Sequence, residues 1–264
     1  MAQSTFDKYY YYLQSVQSPE TDVEFINKTY KEIHNFEPRI LREDFCGTFS
    51  LCCEWAKYHE KNLSYALDVD QEPLNYGQQN YLSRLTTHQQ ARVSIVEADV
   101  LRQPLPEVEV VCALNFSYYL FKKREMLKKY FLAVYRSLKP HGVLILDSFG
   151  GSKCYEANEE ETEDDEKKYS YFWDQDSFNP VNNHAQFYIH FKREGEKKRE
   201  KVFSYDWRMW SLAEVREVLE EVGFNKSFVY WEGTDEDGEG DGEFSTTEVG
   251  EECESWIAYI VACK

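Results

Sequence analysis

The sequence predicts an α/β fold: a seven-stranded, mostly parallel, doubly wound sheet with an antiparallel β insertion after the fifth strand. Three observations predict it. Apolar runs of strand length alternate with helical patterns between residues 39 and 149, and a repeated βα pattern requires a parallel sheet. The alternation breaks at Gly150-Gly151 and gives way to period-two segments, the pattern of antiparallel strands. Of the 264 residues, 42% are hydrophobic, which suits one large domain or one domain with an insertion.

Residues 1–38 read as a helical cap. Tyr9-Tyr10-Tyr11-Tyr12-Leu13 predicts a short helix. Ser18 before Pro19 is a helix start, and Val23, Ile26, Tyr30 and Ile33 then recur at helical spacing. Residues 39–150 form the core. Residues 39–45 are the first strand, with Arg42 unusual inside it because central parallel strands are apolar. A buried Arg needs an anionic partner; Glu43, Asp44 and a ligand carboxylate are the candidates. The strand ends at Cys46-Gly47-Thr48, and a helix over residues 48–58 starts at once. In an open α/β sheet the ligand sits beyond the carboxyl ends of the strands. A glycine there lets backbone approach it, and the helix start offers unpaired N–H groups.

The second strand, residues 63–70, ends in Asp68-Val69-Asp70. Asp68 follows Gly47 by about 20 residues, the layout of a dinucleotide-type site, while Asp70 reads as the cap of the next helix. The third strand, residues 93–100, ends in Ala98-Asp99-Val100, and Pro104 and Pro106 mark the loop after it. The fourth, residues 108–114, runs into Asn115-Phe116-Ser117-Tyr118-Tyr119. Met126, Leu127, Tyr130, Phe131, Val134 and Leu138 form a buried helical stripe. A Lys139-Pro140-His141-Gly142 turn then leads into the fifth strand, residues 142–149.

Residues 151–210 are the insertion. The acidic run 159–166 reads as too charged to pack, hence a mobile loop. Residues 169–174, 187–192 and 202–210 alternate like antiparallel strands. They carry Trp173, His184, Trp207 and Arg208, and are expected to stand over the strand ends and shape an acceptor pocket. A hairpin extension that makes a homodimer is the other reading. Residues 211–264 complete the core: a Ser211–Glu214 capping box, a helix ended by Gly223, and strands at 228–231 and 256–262. Between those strands residues 234–254 read as disordered. Asp235-x-Asp237-x-Glu239-Gly240 partly matches a calcium loop, but Thr246 holds the twelfth position and flanking helices are lacking; no metal site is predicted, weak cation binding by the loop being the minor alternative.

The Arg42-Glu43-Asp44-Phe45-Cys46-Gly47-Thr48 run, the carboxylates at the next two strand ends and the Leu-Lys-Pro-x-Gly turn before an apolar strand together resemble the Rossmann-like (class I) S-adenosylmethionine-dependent methyltransferases. In the first motif Glu43 falls at the acidic position and Gly47 at the middle glycine. Phe45 and Phe49 stand where glycines are usual, which looks like a distinct subgroup. The resemblance implies S-adenosylmethionine as cofactor, with Arg42, Glu43, Phe45, Cys46, Gly47 and Thr48 around it. It implies Asp68, with Val69 beside it, on the ribose hydroxyls. Asp99 then accepts from the adenine amino group, with the Val100 backbone alongside, and Asn115 faces the methyl group. Asn115-x-x-Tyr118 echoes the Asn-Pro-Pro-Tyr motif of amino-group methyltransferases without its prolines. The last two strands would form an antiparallel hairpin, giving the sheet an antiparallel edge strand.

The implied activity is methyl transfer to a small or cationic acceptor, on nitrogen or oxygen. An amine must be neutral to attack, so Tyr118 and His184 are candidate catalytic residues; Tyr118, Tyr119, Trp173, Trp207 and Arg208 are candidates for the substrate side. Aromatics make up 16% of the chain, which suits aromatic-lined pockets. The net charge of -18 repels nucleic-acid phosphates and anionic headgroups and leaves a small-molecule or basic substrate as the partner. Seven cysteines, an odd count without a Cys-x-x-Cys pair, indicate neither a disulfide frame nor a zinc site. Without a signal peptide or an apolar run near the ~20 residues that span a bilayer, the chain reads as soluble and cytoplasmic. Two rival functions share parts of this pattern. One is a nicotinamide-dependent oxidoreductase, which would need glycines where Phe45 and Phe49 stand. The other is a non-catalytic acidic binding protein for a basic partner.

Overall fold

The computed structural model describes residues 5–235 and 240–264. Two helices open the chain, α1 (Lys8–Val16) and α2 (Pro19–His34). The core follows as β1 (Ile40–Asp44), α3 (Ser50–Tyr58), β2 (Leu63–Asp68), α4 (Gln71–Asn80), α5 (Thr87–Gln90), β3 (Val93–Glu97), β4 (Val108–Ala113), α6 (Arg124–Ser137) and β5 (Leu138–Gly150). Four strands of a second sheet come next: β6 (Asn158–Asp164), β7 (Tyr169–Asn179), β8 (His184–Arg193) and β9 (Arg199–Arg208). The chain closes with α7 (Leu212–Val222), β10 (Lys226–Thr234), β11 (Gly240–Thr247) and β12 (Trp256–Cys263).

The main sheet has the order β11-β10-β12-β5-β4-β1-β2-β3 among the described residues. The five strands from β5 to β3 are parallel; β12 is antiparallel to both β5 and β10. The sheet therefore has eight strands rather than the predicted seven. The eighth is β11, antiparallel to β10, drawn from the stretch expected to be disordered. It holds because an edge strand needs only one hydrogen-bonded side. Phe244 anchors it on Phe25 and Tyr259, while Asp241 and Glu243 stay exposed. Asp237 and Glu239 of the calcium-like run lie outside the described residues. The acidic run after β5 is likewise a strand, not a loop. β6 pairs with β7 in register from Asn158↔Gln175 to Asp164↔Tyr169, with its glutamates turned to solvent.

Both faces of the main sheet are covered, as parallel sheets require. One face packs Leu127, Tyr130, Phe131 and Val134 of α6 and Val215, Val218 and Leu219 of α7. The other packs Val23, Ile26 and Tyr30 of α2 and Leu51 and Trp55 of α3. The Ser211–Glu214 capping box forms as expected. Ser18, in contrast, makes no side-chain cap bond, and α2 starts on Pro19 alone. The second sheet packs Phe187 and Trp207 into the α6–α7 side of the core. This places β7, β8 and β9 over the carboxyl ends of β4 and β5. No described helix is long and apolar enough to cross a membrane.

Candidate functional site

The turn after β1 carries three left-handed residues at alternate positions: Phe45 (φ 59°), Gly47 (φ 52°) and Phe49 (φ 49°). These are the three positions where the resembled motif has glycine. The backbone keeps the glycine conformation although two of the side chains are phenylalanine. A non-glycine residue there costs roughly 1–2 kcal/mol, offset by packing. Phe49 is fully buried among Cys46, Cys52, Cys53 and Leu74, and Phe45 rests on Phe121 and Tyr130. At Gly47 an added Cβ would meet nothing within 4 Å, so the turn borders open space there.

The tips of β1 and β2 are tied together. Gly47 donates its N–H to Asp68 Oδ2 at 2.8 Å, and Asp70 donates to Oδ1 at 2.9 Å. The next strand continues the rim: Glu97 of β3 pairs with Asp68, and Asp99, two residues on, is exposed and accepts from the Leu101 N–H. Val69 is exposed beside this rim, whereas Val100 is buried in the core. A cleft of ≈ 430 Å³ opens in front of the turn, bordered by Tyr9, Phe45, Cys46, Gly47, Thr48 and Asp70.

Behind the turn lie the charges that sequence reading placed in the cleft. Arg42 is fully buried and bonds Asp44 through Nε (2.6 Å) and Nη2 (3.1 Å), with Ser137 Oγ and the Pro106 carbonyl on Nη1. Tyr130 donates to the same Asp44 carboxylate. Arg42 is thus a core ion pair with all three nitrogens bonded inside the protein, and not a cofactor contact. Glu43 is also buried; burial pushes its carboxyl up to about 8, and its Oε2 has no hydrogen-bond partner. Neither residue lines the cleft.

The tip of β4 makes a second strained turn. Asn115 (φ 58°) and Phe116 (φ 56°) are both left-handed, and their N–H groups donate to Asp147 of β5 at 2.6 and 2.8 Å. The turn swings Tyr118 and Tyr119 inward. Both are fully buried; the Tyr118 hydroxyl bonds Ser148 Oγ at 2.5 Å and Tyr119 reaches the Phe149 and Trp210 carbonyls. Neither tyrosine faces either cleft, which corrects their expected role.

A second cleft, ≈ 420 Å³, lies between α1–α2, the tips of β4 and β5, and the second sheet. Trp173 and Trp207 line it, as expected, with Tyr171 and Tyr205. Asp147 and Asp22 supply its carboxyl groups. Burial pushes Asp147 up to about 7, with the Asp22 charge adding to the rise; burial also pushes Asp22 up to about 7, against the hydrogen bond from Tyr259. The two clefts share Tyr12, Asn115, Tyr205 and Trp207, so they meet at the tip of β4.

Two further expectations fail on strand geometry. Ile189 lines the second cleft, so by the alternation of a strand His184 points to the opposite face of β8. Arg208 bonds Glu214 and the Lys122 carbonyl and stacks on Trp210, tying β9 to α7. Sequence reading missed Asp22, Asp147, Tyr12 and Tyr205. A signal existed for Asp147, a carboxylate closing an apolar strand like Asp68; none existed for Asp22.

Glu159, Asp174 and His190 bring three potential metal ligands together. Their hydrogen bonds point elsewhere. His190 Nδ1 accepts from the Lys201 N–H at 2.7 Å, so the proton sits on Nε2 and is donated to Asp174 at 3.0 Å. No ring lone pair is left for an ion.

Comparison with known proteins accords with this architecture. Residues 44–146 match the family described as "Methyltransferase domain". No curated protein matches the sequence. Among solved structures, the fold is similar to an S-adenosylmethionine-dependent methyltransferase from Clostridium acetobutylicum (TM-score 0.69, 18% identity, 96% of each chain covered). It is similar to an amino pentose methyltransferase of calicheamicin biosynthesis from Micromonospora echinaspora (TM-score 0.67, 12% identity, 98% of this chain and 97% of that one). It also resembles a sugar N-methyltransferase from a Streptoalloteichus species (TM-score 0.65, 14% identity, 98% and 93%). At such identities these structures establish the fold, and the family match covers the core from the end of β1 into β5. Residues 44–146 thus match a methyltransferase domain, set in a chain whose fold is similar to those of S-adenosylmethionine-dependent methyltransferases.

Proposed function

We propose that the cleft before Gly47 takes S-adenosylmethionine and that the second cleft takes a small acceptor, methylated on nitrogen or oxygen. The meeting of the two clefts at Tyr12, Asn115, Tyr205 and Trp207 carries this reading, because donor and acceptor must come into contact for transfer. The residues fit the cofactor. Gly47 leaves open space at the turn, the 430 Å³ volume is in the range of small-ligand sites, and Asp68 and Asp99 stand at the strand tips next to the cleft, which Asp70 borders. Asp68 serves the ribose hydroxyls and Asp99 the adenine amino group; Phe45, Cys46, Thr48 and Asn115 form the surround. In this reading residues 1–38 cap the site, residues 151–210 wall the acceptor side, and residues 211–264 complete the core. The names of two neighbours, an amino pentose methyltransferase and a sugar N-methyltransferase, support a small-molecule acceptor.

Bound S-adenosylmethionine supplies a methyl group already activated on a sulfonium. The chain's own work is then alignment, which can be worth roughly 7–11 kcal/mol of a barrier. Asn115 and Phe116, fixed through their N–H groups by Asp147, hold the tip of β4 still between the two clefts. Tyr205 and Trp207 border the junction and keep bulk water out of it. Titration calorimetry with S-adenosylmethionine and with a nicotinamide dinucleotide tests the assignment. Binding of the first and not the second is expected, and the reverse would sink it.

A further inference from the structure

The lining of the second cleft is one-sided in charge. It contains Asp22 and Asp147 and no Lys, Arg or His among the described residues. The remaining wall is largely aromatic, including Trp173, Trp207, Tyr171 and Tyr205. An anionic acceptor would face two carboxyl groups with no counter-charge. A neutral one would leave these carboxyls, when ionised, with hydrogen bonds but no counter-charge. A cation meets both needs at once: the carboxylates supply the opposite charge, and the ring faces supply cation–π attraction, strongest over Trp.

Resting on the two-cleft reading above, we propose that the acceptor is a small primary or secondary amine that enters as its ammonium ion, and that Asp147 takes the proton from it. Asp147 rather than Asp22 is placed for that step. Both carboxyls line the second cleft only, but that of Asp147 is bonded to the backbone of Asn115, which borders both clefts, so it lies beside the junction. The ammonium gives a proton to Asp147 and frees its lone pair. The N–C bond forms as the S–C bond of the donor breaks, with the bonding pair left on sulfur. The product is the ammonium ion of an amine bearing one more methyl, the positive charge having passed from sulfur to nitrogen, and the proton leaves Asp147 to solvent. Burial, by raising the Asp147 carboxyl to about 7, makes it a better proton acceptor near neutral pH than an ordinary carboxylate.

Choline and 3,3-dimethylbutan-1-ol, matched in shape and differing in charge, test the cleft by calorimetry on the full chain, with S-adenosylmethionine titrated into the same samples. Choline should bind at least tenfold more tightly than the alcohol. Asp22→Asn and Asp147→Asn should each cut that preference at least fivefold, and Asp22→Asn should leave S-adenosylmethionine affinity within twofold. If Asp147→Asn does not fold, Asp22→Asn carries the comparison. Labelled methyl should pass to amines in a panel of amines, phenols and carboxylates. Equal affinity for the two probes, binding of neither, or transfer only to phenols or carboxylates would overturn the amine assignment. Failure of S-adenosylmethionine to bind the wild-type chain would overturn the two-cleft reading itself.

Discussion

Gly47 donates its backbone N–H to Asp68 Oδ2 across 2.8 Å, so the first two strand tips behave as one unit. Asp68→Ala removes that tie together with the proposed ribose contact. Hydrogen bonds to a charged group contribute roughly 1.5–3 kcal/mol each, so affinity for S-adenosylmethionine should fall at least tenfold by calorimetry. Unchanged affinity would separate Asp68 from cofactor binding.

Gly47→Ala probes the open space at the same turn. The new methyl meets no protein atom within 4 Å, so the fold loses only the left-handed strain, roughly 1–2 kcal/mol. The methyl would occupy room meant for the cofactor. Urea denaturation should therefore show a modest loss, while S-adenosylmethionine affinity drops more than tenfold. A large stability loss with intact binding would place the cofactor elsewhere.

Arg42→Met leaves Asp44 as an uncompensated buried charge. Breaking a buried pair in this way costs roughly 3–5 kcal/mol. The urea midpoint should fall accordingly, and the folded fraction should still bind S-adenosylmethionine with near wild-type affinity. A variant that is stable yet fails to bind would return Arg42 to the cofactor.

Tyr118→Phe and His184→Ala should both leave kcat within twofold of wild type once an acceptor is in hand. The first loses a buried hydrogen bond to Ser148, roughly 1 kcal/mol of stability; the second alters the face of β8 away from the cleft. A hundredfold fall in kcat in either would show that the residue reaches the acceptor in the working enzyme.

Stability should fall as pH rises from 5.5 to 8.5. Asp22 and Asp147 are raised to about 7 and Glu43 to about 8, whereas carboxyls in an unfolded chain titrate near ~4. The folded state therefore holds more protons through this window. The stability these groups give is complete below the unfolded values and lost as pH passes the folded ones. His34 opposes this near pH 6, because its burial and the neighbouring His141 lower its pKa. A lower urea midpoint at pH 8.5 is expected, and Glu43→Gln should flatten the slope. A midpoint that rises with pH would contradict these burial effects.

The parallel frame was legible because buried parallel strands are continuous apolar runs, as residues 108–114 show. That the Gly47 and Asp68 strand tips come together was legible because their spacing is a property of one βα unit. Asp22 was not, since it joins the cleft only when α2 folds across the sheet. Tyr118 and Tyr119 misled because the left-handed Asn115 and Phe116, which turn them inward, leave no trace in composition. β6 and β11 hid behind their acidic side chains, which count against a buried strand but not against an edge.

β11 holds its place with one aromatic residue, Phe244, and a row of hydrogen bonds to β10. Without it, the backbone from Val229 to Glu232 would lie bare along the flank of the sheet, a template for joining another molecule strand to strand. The acids of β11 repel their own copies across such a contact. The acid-rich segment near the end of the chain thus guards against aggregation, and trimming it should yield a protein that still folds but no longer stays apart from its neighbours.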